Sequence, residues 1–120
     1  RLYLGNVLFP FPNRIRDGKY TFEGNTYQLP INEPARNNAI HGLMAFESCL
    51  LKEQAVNEND AKIVLEYTTI PSDAYPFSIR IQNSFVLKLD ALEIDTICTS
   101  LDNRSAPIGL GWHPYFTLPG

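Results

Sequence analysis

An all-β protein is what this sequence predicts, and three observations predict it. Nine prolines and seven glycines punctuate the chain at short intervals. Between them, apolar residues mostly alternate with polar ones at period two, the pattern of strands that bury one face. Hydrophobic residues make up 44% and charged residues 19% of the 120, the composition of a chain that builds a core and not of a disordered one. This length allows one domain, not two.

The elements follow in chain order. Phe9-Pro10-Phe11-Pro12-Asn13-Arg14 is held extended by two fixed proline φ angles, and aromatic-proline bonds admit the cis form. It delivers Asn13 and Arg14 as a fixed polar pair. One reading makes this an edge segment whose Phe rings fill the core while Arg14 pairs with a carboxylate. The other makes Arg14 a hydrogen-bond fork for a hydroxyl-rich or anionic ligand. Next, Tyr20 and Phe22 lead into Glu23-Gly24-Asn25, after which Tyr27, Leu29 and Ile31 alternate with polar neighbours, so a hairpin with a glycine turn is expected. Over Leu43 to Val56, free of Gly and Pro, a short helix with Leu43, Phe46 and Leu50 on one face competes with a strand. Ile63, Leu65, Tyr67 and Thr69 share one strand face. Beyond Pro76, Ile79, Ile81, Phe85, Leu87 and Leu89 keep an odd phase, whereas Leu92, Ile94, Thr96 and Cys98 keep an even one. Asp90 and Ala91 must therefore hold a turn or bulge that resets the face.

Composition also narrows the function classes. Ten Lys and Arg against thirteen Asp and Glu give a net charge of −3, and the scattered basic residues form no patch able to track a phosphate backbone, so nucleic acid is not an expected partner. No apolar run approaches the roughly 20 residues of a membrane span, and no signal-peptide pattern opens the chain, so no membrane partner is expected either. Cys49 and Cys98 form no Cys-x-x-Cys pair; they read as buried thiols of a reducing, cytoplasmic compartment, with a single bridge as the alternative. No metal site is indicated. A serine nucleophile elbow, a glycine-rich phosphate loop and a His-Glu-x-x-His motif are all missing, which leaves hydrolase, nucleotide and metalloprotease readings unsupported. The carboxylates fall mostly in turns and on polar strand faces, and none stands out as a base. Because the sequence opens at Arg1 and stops at Pro119-Gly120 just after its densest aromatic motif, residues 1–120 are expected to be the N-terminal portion of one larger domain, cut at both ends.

The chemistry-bearing residues are few. There are two histidines. A residue before proline is pushed to extended conformations and Pro114 cannot donate to a sheet ladder, so His113 is expected at a strand end, where a sheet presents side chains to a ligand. Trp112, Tyr115 and Phe116 surround it with apolar faces suited to stacking on the C–H face of a sugar or on a core layer. His41 precedes Gly42, which permits a turn or a close backbone approach beside the imidazole. A hydrogen-bonded structural role is the simpler reading of either histidine alone.

Taken in order, Phe9-Pro10-Phe11-Pro12-Asn13-Arg14-Ile15, Gly18-Lys19-Tyr20, Tyr27-Gln28-Leu29, Asn38-Ala39-Ile40-His41-Gly42, Tyr75-Pro76-Phe77 and Gly111-Trp112-His113-Pro114-Tyr115-Phe116 resemble the aldose 1-epimerase (galactose mutarotase) family over nearly the whole chain. The resemblance implies a large antiparallel β-sandwich that interconverts the α and β anomers of a free sugar. It implies catalytic roles for His113, the general acid at the ring oxygen, and for His41, which with Arg14 holds sugar hydroxyls. Asn13, Trp112 and Tyr115 complete the expected substrate-binding set. Leu43 stands where the family commonly has a second glycine, and Thr117 where it often has asparagine. The family's catalytic Glu and a sugar-binding Asp come from later in the chain, so the base is expected outside these residues and the isolated polypeptide is expected to be inactive.

Opening a pyranose needs a base on the anomeric hydroxyl and an acid on the ring oxygen together, and imidazole, with an ordinary pKa of about 6.5, donates and recovers a proton near neutrality. No cofactor is required. The alternatives are a non-catalytic carbohydrate-binding sandwich, and an epimerase of a hexose phosphate, for which several of Arg14, Arg16, Arg36, Arg80 and Arg104 would have to converge. Unpaired strand edges predict that the chain by itself self-associates.

Overall fold

The computed structural model describes residues 2–118. In chain order its elements are β1 (Val7–Leu8), β2 (Arg14–Arg16), β3 (Lys19–Phe22), β4 (Asn25–Gln28), a single 3-10 turn (Pro34–Arg36), β5 (Asn38–Ile40), β6 (Leu50–Val56), β7 (Asp60–Thr68), β8 (Ile79–Lys88), β9 (Leu92–Ser100) and β10 (Gly111–Trp112). The fold is all-β, as the alternation predicts. No helix among the described residues is long and apolar enough to cross a membrane. The chain gathers into two compact units, one built from the stretch through Glu47, Ser72–Tyr75 and the segment from Pro107 onward, the other from Ser48–Pro71 and Pro76–Ala106.

The second unit is an antiparallel meander in the order β6-β7-β8-β9. Its register is the one the phase change requires: Ile81 faces Cys98, Phe85 faces Ile94 and Leu87 faces Leu92, with the Lys88 N–H bonded to the Ala91 carbonyl across the turn (2.8 Å). Side chains of one face alternate out of the pleat together, so Ile79, Ile81 and Phe85 lie with Leu65, Tyr67, Ile94 and Cys98. Ile79 and Ile81 are buried. Asn83 is buried in the same row, and its amide oxygen accepts the Thr96 hydroxyl at 2.8 Å, the partner that a buried polar group requires. Thr69 solves the same problem at the strand end, donating to the Phe77 carbonyl (2.6 Å) and accepting from the Ile79 N–H (2.8 Å). The helix that competes over Leu43 to Val56 does not form. Residues 43–46 make a turn and Leu50–Val56 is a strand, because the backbone of β7 supplies six cross-strand partners that periodicity within the segment cannot reveal. Cys49 and Cys98 are free and half-buried, and burial pushes both thiols up.

In the first unit, β1 pairs with β10, β2 with β5 and β3 with β4, all antiparallel. The β3–β4 hairpin turns on Glu23 and Gly24 with φ of 49° and 79°, the doubly left-handed loop that matches strand twist. Leu8, Phe9, Leu29, Ala39, Met44 and Tyr75 are its buried apolar residues. The Phe9 ring meets Tyr75 edge-on at 6.0 Å, and the Tyr75 hydroxyl donates to the Pro107 carbonyl (3.1 Å). Phe11 packs on Tyr20 at 4.7 Å, and Tyr20 on Tyr27 at 5.0 Å; burial, then the neighbouring Tyr27, pushes the Tyr20 phenol up to about 12. The Phe rings of the proline-rich segment thus pack inward as expected, and its Phe9–Pro10 bond is cis.

Candidate functional site

The site grows from two short ladders in the first unit. In the β2–β5 ladder Arg14 faces Ile40, which brings Asn13 opposite His41. In the β1–β10 ladder Val7 faces Trp112, and the pairing runs on past the strand: the His113 N–H donates to the Asn6 carbonyl (3.0 Å) and the Gly5 N–H to the His113 carbonyl (2.9 Å). His113 therefore stands one residue beyond the last ladder pair, immediately before Pro114, as the proline rule predicts. Gly42 joins the two regions. Its φ is +70°, and a Cβ there would lie 2.2 Å from the Phe9 carbonyl oxygen, a position that only glycine fills. That carbonyl takes the N–H groups of Leu43 (2.8 Å) and Met44 (3.2 Å), which fixes the turn carrying Phe46.

The result is an aromatic cluster around two imidazoles. The rings of His41 and His113 lie 5.1 Å apart, edge to face. Tyr3 packs edge-on against His41 at 4.5 Å and contacts Phe46 at 5.1 Å and His113 at 6.1 Å. Tyr115 stacks on His113 at 5.3 Å and is itself exposed, so it presents a ring face to solvent. Beside this cluster opens a cleft of about 520 Å³ lined by Tyr3, Asn32, Glu33, Ile40 and Phe46, within the range of small-molecule sites. Tyr3 is the ring shared by the cleft and the histidine pair.

Electrostatics at the cleft centre on Glu33. Its carboxylate takes Arg14 in a side-on fork, Nε to Oε2 at 2.7 Å and Nη2 to Oε1 at 2.8 Å, and also accepts the Asn38 amide (3.0 Å) and Arg36 (3.5 Å). The Arg14 and Asn38 hydrogen bonds hold its carboxyl well below the usual range, at about 2. Among the described residues the Nη1 group of Arg14 has no hydrogen-bond partner. Of the two readings of the Asn13-Arg14 pair, the carboxylate partner is the one this geometry contains. His41 is pushed below the ordinary imidazole value, first by burial and then by the charges of His113 and Arg14, with Glu33 opposing.

Of the expected residues, His41, His113, Tyr115, Arg14 and Asn13 come together. Trp112 does not join them: its indole N–H donates to the Gly5 carbonyl (3.0 Å) and its ring meets Phe116 at 6.1 Å, since neighbours in an extended chain point to opposite sides. Tyr3, Asn32 and Glu33 went unread in the sequence. Asn32 clips the loop to β5, donating to the Ile40 carbonyl (2.9 Å) and accepting its N–H (2.6 Å).

This fold is similar to that of a galactose mutarotase-like protein from Clostridium acetobutylicum, with a TM-score of 0.80 and 27% identity over 90% of this chain and 33% of that one. The model of the aldose 1-epimerase family matches residues 1–120, and the chain belongs to that family. Among relatives, it is 37% identical over 116 residues to the uncharacterized protein YihR of Escherichia coli (strain K12), covering 96% of this chain and 36% of YihR. It is 28% identical to the galactose mutarotase of Rattus norvegicus, covering 98% of this chain and 33% of that enzyme. The chain thus spans about a third of the length of these relatives.

Proposed function

We propose that the protein interconverts the α and β anomers of a free hexose by acid–base opening of the sugar ring. The observation that carries this reading is the meeting of two imidazoles at 5.1 Å beside an open cleft and an exposed aromatic ring, in a chain of the aldose 1-epimerase family. As a base takes the proton of the anomeric hydroxyl, His113 gives its proton to the ring oxygen and the bond from that oxygen to the anomeric carbon breaks; both proton transfers reverse when the ring closes on the other face. His41 and the spare Arg14 donor hold hydroxyls, and Tyr115 offers a ring face to the sugar C–H groups. Proton transfer by a positioned group is worth about 100-fold to 10,000-fold. None of the described carboxylates is assigned as the partner base.

Polarimetry on freshly dissolved α-glucose or α-galactose tests the reading in the complete protein. His113→Ala is expected to lower the rate of anomer interconversion at least about 100-fold, and His41→Ala to lower it as well, each with the circular dichroism of the folded protein retained. Unchanged rates in both variants would return the histidines to purely structural roles.

A further inference from the structure

The contact between Asn13 and His41 runs through the main chain in both directions. The Asn13 N–H donates to His41 Nδ1 at 3.2 Å, and the His41 N–H donates to the Asn13 carbonyl at 2.9 Å. Both residues are left-handed, with φ of 66° and 63°. That conformation is sterically unfavourable for a non-glycine residue and is visited mainly by Asn, Asp and His, and paired across a ladder it points each N–H at the other residue. The hydrogen bond also carries chemical information. A backbone N–H only donates, so Nδ1 must keep its lone pair to receive it; a proton on Nδ1 would set two N–H groups against each other. The proton of the neutral ring then belongs on Nε2.

Resting on the functional reading above, we propose that Asn13 is a positioning residue whose main-chain N–H holds His41 as the neutral Nε2–H tautomer, so that His41 serves the sugar as a hydrogen-bond donor and not as a proton acceptor. The division of labour between the histidines follows. The groups that face His41 are the His113 ring at 5.1 Å, Tyr3 at 4.5 Å, and Arg14 with its partner Glu33. Burial, then His113 and Arg14, disfavour charging it, which acts in the same direction as the clamp. Asparagine at position 13 is then explained by its tolerance of the left-handed region, whatever its side chain adds.

Long-range proton–nitrogen NMR of the complete protein labelled with nitrogen-15 histidine reads the tautomer directly, with His41→Ala assigning the signals. The expected spectrum at neutral pH shows His41 with a protonated Nε2 and an unprotonated Nδ1. Asn13→Gly, which keeps both the N–H and the positive φ, is expected to retain that signature. Asn13→Val, whose branched side chain resists positive φ, is expected to lose it to rapid exchange between tautomers. A wild-type His41 protonated on Nδ1, or averaged between tautomers, overturns the proposal, as does retention of the signature in a folded Asn13→Val. Because none of these readouts needs turnover, an inactive protein with the expected spectrum refutes the mutarotase reading alone.

Discussion

At the scale of single residues, the site depends on side chains and backbone angles that work in pairs. Glu33 is the clearest case. Its carboxyl is drawn down from 4.5 to about 2 in the folded chain by Arg14 first and Asn38 second. A depressed carboxylate stabilises the folded state above its unfolded pKa and loses that contribution as the pH falls through the folded value. The window is therefore about 4.5 down to 2. Urea unfolding measured from neutrality into this window is expected to show a steeper loss of stability in the wild type than in Glu33→Gln, the two curves converging at the acid end. Parallel curves would show that the fork contributes nothing. His41 adds a smaller effect of the same sign: with its pKa lowered on folding, stability falls as the pH drops through the ordinary imidazole range. Neither pairing is visible in the sequence. Glu33 is one carboxylate in a Pro-flanked loop, and only knowing that Arg14 faces Ile40 across β2 and β5 would have singled it out. Gly42 was more legible, since a glycine there permits a turn or a close backbone approach, and the Phe9 carbonyl is what approaches.

At the scale of the element, phase carries the information and strand ends lose it. Ile81 and Leu89 share the odd-numbered phase of the same apolar run, so alternation treats them alike. In the structure Ile81 is 0% exposed within β8, whereas Leu89 is fully exposed in the turn beyond Lys88. Truncating a fully buried Ile to Ala costs about 2–5 kcal/mol, whereas surface changes away from special features stay within about 0.5 kcal/mol. Chemical denaturation is expected to place Ile81→Ala and Leu89→Ala in those two ranges. Similar losses for both would mean that the turn at Asp90-Ala91 is misplaced. The hairpin at Glu23-Gly24 was readable because both partners and the turn lie within ten residues. The Leu43 to Val56 segment was not, because its choice between helix and strand was made by β7.

At the scale of the whole molecule, the meander ends on β6 and β9, edges to which no further strand is paired among the described residues. Every residue of β6 is exposed, including Leu50, Leu51 and Val56, and Leu92 and Ile97 are exposed on β9. Edges of this kind, long and partly apolar, recruit further strands. Sedimentation of the isolated 120-residue polypeptide is expected to show self-association that Leu51→Lys weakens, and polarimetry to show no acceleration of mutarotation, since none of the described carboxylates is placed as the base. A monomeric polypeptide that catalyses the reaction would refute both expectations.

Local regularities settled much of this protein in advance. Strand periodicity, the reset at Asp90-Ala91, the glycine turn and the restraint on His113 before Pro114 all arise between neighbours along the chain, where steric rules act without reference to anything distant. Tertiary structure alone decided what meets what: Tyr3 against His113 from opposite ends of the sequence, Glu33 on Arg14, Trp112 turned away from the histidines, and His41 gripped by the main chain of Asn13. Those contacts depend on ladder register and on left-handed backbone angles, and both are properties of the folded chain that no single segment carries by itself.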